Sequence, residues 1–145
     1  MKNLYLVFLL GILSFNAFAQ NENSTSAPLK NILGVKVGIT DPLFAVVYER
    51  LFTRNIGAEL EVGFLGASIG PKIFIPSLRP NKVNFYTGLI FGSGYFAGGG
   101  YSYLPIGINR LTKNNIVISL DLGPQLLFSD SEVLPGGTFK IGKAF

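Results

Sequence analysis

From Asn31 on, the chain breaks into short segments in which apolar residues recur at every second position, the period of a β-strand whose two faces meet different surroundings. "NILGVKVGIT" puts Leu33, Val35, Val37 and Ile39 on one face and Gly34, Lys36, Gly38 and Thr40 on the other. "LFAVVYERLF" sets Phe44, Val46, Tyr48 and Phe52 against Ala45, Val47 and Glu49. "IGAELEVGF" sets Ile56, Ala58, Leu60, Val62 and Phe64 against Gly57, Glu59, Glu61 and Gly63. The pattern continues through "SIGPKIFI", through "VNFYTGLIFGSGYF" with Ile90 out of step, and through "YSYLPIGIN", "IVISLDLGPQLLF" and "GTFKIGKAF". Asp41-Pro42, Thr53-Arg54-Asn55 and Lys113-Asn114-Asn115 read as turns between them. These are eight segments, most near the about 9 to 11 residues that a tilted membrane strand needs. No stretch beyond the N-terminal region has comparable helical periodicity, and no fixed-period repeat is present.

The first twenty residues read differently. Lys2 precedes an apolar run from Leu4 to Leu13, and Ala17-Phe18-Ala19 has the small-x-small form of a signal-peptidase site. Cleavage is expected after Ala19, leaving Gln20 first. It removes Lys2 alone among the charged residues, so a formal charge of +4 becomes +3. That excess is too small and too dispersed to imply nucleic acid. Residues 20–30 are polar and without period, as in a flexible leader, and residues 31–145 form one domain. The chain has no cysteine, so an exported protein of this kind relies on packing and backbone pairing rather than disulfides. Charged residues make up only 14% of it, against about 25% in soluble domains, yet no later apolar run approaches the roughly 18 residues of a membrane helix. Two classes remain: a compact soluble β protein, and a barrel whose apolar surface meets lipid.

The face opposite the apolar one decides between them. It is mostly glycine, with a few serines, asparagines and charges. That composition makes a poor coat against water, but it suits the inside of a narrow barrel, where small residues leave room for a few long polar ones. Lys36, Glu49, Glu59, Glu61, Lys72, Asp121 and Lys140 all fall on it. Three lysines face four acids, which predicts an internal network of ion pairs and hydrogen bonds filling the barrel, with Asp121 among Lys36, Lys72 or Lys140. Aromatic residues are expected in two girdles, Phe44, Phe64, Tyr101 and Phe128 at one rim and Phe52, Phe85 and Phe145 at the other. The expected fold is all-β, an eight-stranded antiparallel up-and-down transmembrane β-barrel after a cleaved signal peptide.

"YERLFTRNIGAELEVGF" resembles the strand, short periplasmic turn and strand of small Gram-negative outer-membrane barrels, the opacity-protein and outer-membrane-protein-A-like class. "GGTFKIGKAF" is similar to the last strand of that class. The resemblance implies location in the outer membrane, with outer-membrane lipid as surroundings. It also implies that the barrel-assembly machinery reads Phe145, with Phe139 and Ile141 on the same face, during insertion. Pro71, Pro105 and Pro124 depart from the pattern: each removes a ladder donor inside a strand, which predicts bulges or early strand ends.

The chain has no histidine, so Ser-His-Asp and Cys-His catalysis and His- or Cys-based metal sites are excluded. Glu59 and Glu61 share a face but read as salt-bridge partners rather than a catalytic pair. "GSGYFAGGGY" lacks the Lys-Ser/Thr of a phosphate-binding loop. No cofactor, metal or catalytic residue is expected. Three functions stand at this point: a structural or interaction barrel in the outer membrane, a narrow porin-like pore or small-solute conduit, and a secreted soluble barrel carrying a ligand. The sequence does not specify an oligomeric state.

Overall fold

The computed structural model describes residues 31–40, 42–76, 78, 81–95 and 97–145. The expected cleavage site at Ala17, Ala19 and Gln20 and the polar leader lie outside the described residues. All regular structure among the described residues is β. The segments are β1 (Asn31–Gly38), β2 (Phe44–Leu51), β3 (Ile56–Gly63), β4 (Gly66–Ile75), β5 (Val83–Gly88), β6 (Ile90–Gly94), β7 (Gly99–Tyr103), β8 (Ile106–Leu111), β9 (Ile116–Leu127) and β10 (Val133–Ala144). β5 and β6 are two stretches of one strand, broken only at Leu89, and β7 and β8 are two stretches of the next, broken at Leu104 and Pro105. Counted this way, eight strands run up and down, each antiparallel to its chain neighbours, and β10 pairs with β1. The sheet is therefore a closed eight-stranded antiparallel barrel, without the exposed edges of an open sheet.

The breaks have a local cause. Pro71 lies opposite Leu89, and Pro124 lies opposite Leu104. The amides of Leu89 and Leu104 donate to the carbonyls of Pro71 and Pro124, at 3.1 Å in both cases, but proline returns no bond. The register on either side of each proline is nevertheless the same, so of the bulges or early strand ends expected at Pro71, Pro105 and Pro124 the interruptions form and the bulges do not. A closed wall holds each strand from both sides, so losing one donor interrupts a rung without shifting the ladder.

The barrel is strongly sheared. A path through opposed residues runs from Ala144 to Ile32, Glu49, Glu59, Gly70, Ile90, Tyr103 and Gln125, and returns to β10 at Leu134, ten residues from its start. For eight strands, a shear of ten tilts the strands by about 40° and gives a wall radius of roughly 8 Å. On the concave side of so tight a wall, neighbouring backbones come close. A Cβ on Gly70 would lie 2.0 Å from the Leu89 carbonyl oxygen, and one on Gly34 would lie 2.4 Å from that of Ile141. Glycine at these positions is a condition of the curvature.

Turn chemistry supports the hairpins. The Thr53 hydroxyl accepts from the amides of Asn55 and Ile56, and the Thr112 hydroxyl accepts from Ile116. Asn115 takes a φ of 62°, a left-handed conformation that asparagine tolerates better than most residues. The seam between the first and last strands extends to the final residue: Asn31 and Phe145 exchange backbone bonds of 3.1 and 2.9 Å.

Candidate functional site

The inside of the barrel is layered. At the end that carries Asn31 and Phe145, Ile32, Leu51, Phe74, Tyr86, Leu111, Val117 and Ala144 form an apolar cluster. At the opposite end Ile90, Ala97, Tyr101, Tyr103 and Leu127 form another. Ile90, out of step in the sequence pattern, points inward and belongs to this second cluster. Between the two lies a polar layer, and every one of the seven charged residues expected on the inner face is buried in it.

Six of the seven charges form ion pairs. Lys140 donates to Glu49 and, at 2.6 Å, to Glu59. Lys72 donates to Glu59 at 2.8 Å and lies 3.9 Å from Glu49. Lys36 donates to Glu61, which also accepts from the Ser68 hydroxyl at 2.7 Å. The register sets these contacts. Glu49 stands directly opposite Glu59 on β2 and β3, and Lys36 stands directly opposite Lys140 on β1 and β10. Like charges so placed repel. Lys140 reaches over the interior to both carboxylates of the first pair while Lys36 turns to Glu61, so both repulsive pairs are compensated. The second oxygen of Glu49, Oε1, has no hydrogen-bond partner among the described residues.

Asp121 is satisfied differently. It accepts from the hydroxyls of Tyr86 and Tyr103, both at 2.5 Å, and from Thr138 at 2.8 Å. No ion pair joins Asp121 to a lysine among the described residues, which corrects the expectation that it sits among Lys36, Lys72 or Lys140. The reason is position: the lysines and their carboxylates occupy β10 and β1 to β4, whereas Asp121, on β9, faces the tyrosines of β5 and β7. Lys72 links the two groups, with its ammonium 4.5 Å from the centre of the Tyr86 ring.

Alternation places Tyr103 on the glycine-rich face, but the sequence pattern identifies neither Tyr86 nor Tyr101 as lumenal and no tyrosine as a partner of Asp121. Tyr101, expected in an outer girdle, is 1% exposed and points inward, because it shares the parity of Tyr103. A signal for them was present in the glycines. A Cβ on Gly107 would fall 2.7 Å from the Tyr86 ring, one on Gly136 would fall 2.8 Å from Tyr103, and one on Gly92 would fall 2.6 Å from Tyr101. Each lumenal tyrosine occupies the niche of a neighbouring glycine.

In comparisons with known proteins, the chain matches no family model, no curated protein and no solved structure. The functional argument therefore rests on the geometry of the barrel.

The outer wall reverses the usual polarity. Leu122 is 65% exposed, whereas Asp121 beside it is 5% exposed. Leu, Ile, Val and Phe side chains cover the outward face of every strand, from Leu33 and Val35 on β1 to Phe139 and Ile141 on β10. Within the strands, the outward charges are Arg50, Arg110 and Lys143, each the penultimate residue of its segment. Phe44, Phe64, Tyr95 and Phe128 stand exposed at one rim, and Phe52, Phe85 and Phe145 at the other. Two open grooves mark the wall, one along Leu122, Pro124, Val133 and Pro135, the other along Leu33, Val46, Ile116 and Ile141, and neither presents a titratable group.

Proposed function

We propose that this chain is an integral outer-membrane β-barrel, exported through a signal peptide cleaved after Ala19, with a structural or interaction role and no catalytic activity. The inverted polarity of the barrel carries this reading. Burying a Leu, Ile, Val or Phe side chain is worth about 1.5–3 kcal/mol, and soluble monomers rarely leave apolar patches beyond roughly 300–600 Å² in water. Here an apolar belt surrounds the whole barrel, while lysines and carboxylates are inside. A hydrocarbon environment matches that distribution, and a closed barrel satisfies the backbone groups that such an environment cannot.

The layered interior supports a plugged barrel over a conduit. An apolar cluster at each end and a crosslinked polar layer between them fill the interior with the chain's own side chains, which favours a plugged barrel. In this reading outer-membrane lipid surrounds the wall, and the barrel-assembly machinery inserts the chain. Phe139, Ile141 and Phe145 all present exposed side chains on the outward face, where an assembly factor could bind them.

Fractionation of expressing cells tests the reading. The protein should partition with outer membranes, migrate differently on gels before and after boiling, and have lost residues 1–19 by mass spectrometry. Leu122→Asp should reduce the inserted fraction, because an acid facing hydrocarbon carries a transfer cost that depends on depth. A monomer soluble in the periplasm without detergent would overturn the proposal.

A further inference from the structure

Among the described residues, the charges left outside the polar layer are separated by end. Arg50, Arg54, Lys82, Arg110, Lys113 and Lys143 all lie at the end that carries Asn31 and Phe145, on strand tips and on the turns joining β2 to β3, β4 to β5 and β8 to β9. No acid accompanies them among the described residues. Asp130 and Glu132, in the connection from β9 to β10, lie at the other end, and no base accompanies them there among the described residues. Arg50, Arg110 and Lys143 share a further property: they point radially outward, in line with the apolar residues of their strands. Each follows the last apolar residue of the outward row, Tyr48, Ile108 and Ile141 respectively. Their charges therefore sit at the edge of the apolar belt rather than over the mouth of the barrel. Arg50 is also braced, donating to the Asn31 side chain at 3.2 Å beside the Tyr48 hydroxyl.

We infer that this basic collar binds the phosphate headgroups of anionic phospholipids in the leaflet that surrounds the end bearing Asn31 and Phe145. The inference rests on the membrane reading above and adds a lipid preference to it. Three arguments support it. The outward direction of Arg50, Arg110 and Lys143 at the belt's edge places them at headgroup depth. The β2, β8 and β10 tips are spread around the circumference, which suits an annulus of lipids better than one compact ligand. No aspartate or glutamate lies at that end among the described residues, so Arg50, Arg110 and Lys143 meet no side-chain carboxylate there. A Lys or Arg near an anionic surface gives about a fivefold preference, so three at the right depth give a measurable selectivity.

Lipid selectivity measured with spin-labelled phospholipids tests this. The refolded protein is placed in phosphatidylcholine vesicles, and spin-labelled phosphatidylglycerol is compared with spin-labelled phosphatidylcholine. A several-fold selectivity for phosphatidylglycerol is expected, falling towards one at high salt because screening weakens it. The Arg50→Gln/Arg110→Gln/Lys143→Gln variant should lose most of it, whereas Asp130→Asn/Glu132→Gln should keep it. Equal association of the two probes with the parent protein, or undiminished selectivity in the triple variant, would overturn the inference. If neither probe shows a protein-restricted population, the membrane reading itself fails, an outcome distinct from lost selectivity. Should the triple variant not refold, the salt titration of the parent protein decides alone.

Discussion

Buried acids are held in two ways inside this barrel. On the side of β10 and β1 to β4, Glu49, Glu59 and Glu61 are neutralised by Lys36, Lys72 and Lys140. On the other side Asp121 receives three hydroxyl hydrogen bonds and no ammonium group. The first arrangement concentrates charge, and its members depend on one another: Lys140 serves two carboxylates, and Glu59 serves two lysines. The second spreads the load over neutral donors, each of which can be removed separately. The lesson concerns failure. Losing a member of the ionic side strands an opposite charge, whereas losing a hydroxyl leaves an acid with fewer bonds.

The most severe test of this contrast is Glu59→Leu, which removes an acceptor from both Lys72 and Lys140. Breaking a buried pair costs about 3 to 5 kcal/mol, and the upper part of that range is expected in urea titrations of the vesicle-inserted protein. Adding Lys72→Met should recover part of the loss, because replacing a whole pair by apolar groups is often neutral. No recovery would mean that the two lysines are satisfied independently of Glu59.

Asp121→Leu leaves the Tyr86, Tyr103 and Thr138 hydroxyls without their acceptor, at about 1–3 kcal/mol for each one that cannot turn to another. Its rescue pattern is the sharper measurement. Substituting Lys36, Lys72 or Lys140 should not help, whereas Tyr86→Phe with Tyr103→Phe should restore part of the stability. Rescue by a lysine substitution would erase the distinction between the two sides.

Tyr86→Phe alone removes one hydrogen bond and retains the ring beside Lys72. A loss of about 0.5–1.5 kcal/mol is expected from the same titration. The smallest effect belongs to Asp130→Asn, on an exposed connection outside both groups, where a change within about 0.5 kcal/mol is expected. A large effect there would tie that connection to the barrel interior.

Much of this architecture was legible in the residues. Period-two alternation in "IGAELEVGF" and its counterparts separated inner from outer faces, because a strand cannot rotate one side chain inward without taking its second neighbours along. Lysine and glutamate on the glycine-rich face announced an internal network for the same reason. The hydroxyl donors to Asp121 were less visible. Tyrosine fits an interfacial girdle as readily as an interior, and Tyr101 was placed at the rim on aromatic character when its parity with Tyr103 pointed inward. The partners of Asp121 also depend on which strands face each other across the barrel. That follows from the shear, a property of the closed register and not of any one segment. The prolines were half legible: the strands do break at Leu89 and at Leu104 and Pro105, but the register does not shift, because both neighbours hold the chain in place.

The like-charge neighbours have a consequence for the order of assembly. The β2–β3 hairpin alone sets Glu49 beside Glu59, and the β1–β10 seam alone sets Lys36 beside Lys140. Lys72 of β4 relieves the hairpin only in part, and Lys140 reaches both carboxylates only once β10 has closed on β1, so an open ring carries a penalty that closure removes. Half-built barrels should therefore be sparsely populated, and refolding should approach all-or-none behaviour. In the Glu49→Gln/Lys140→Gln variant, with both repulsions relieved in advance, open intermediates should accumulate, visible as an extra gel band that a two-state transition in the parent protein lacks.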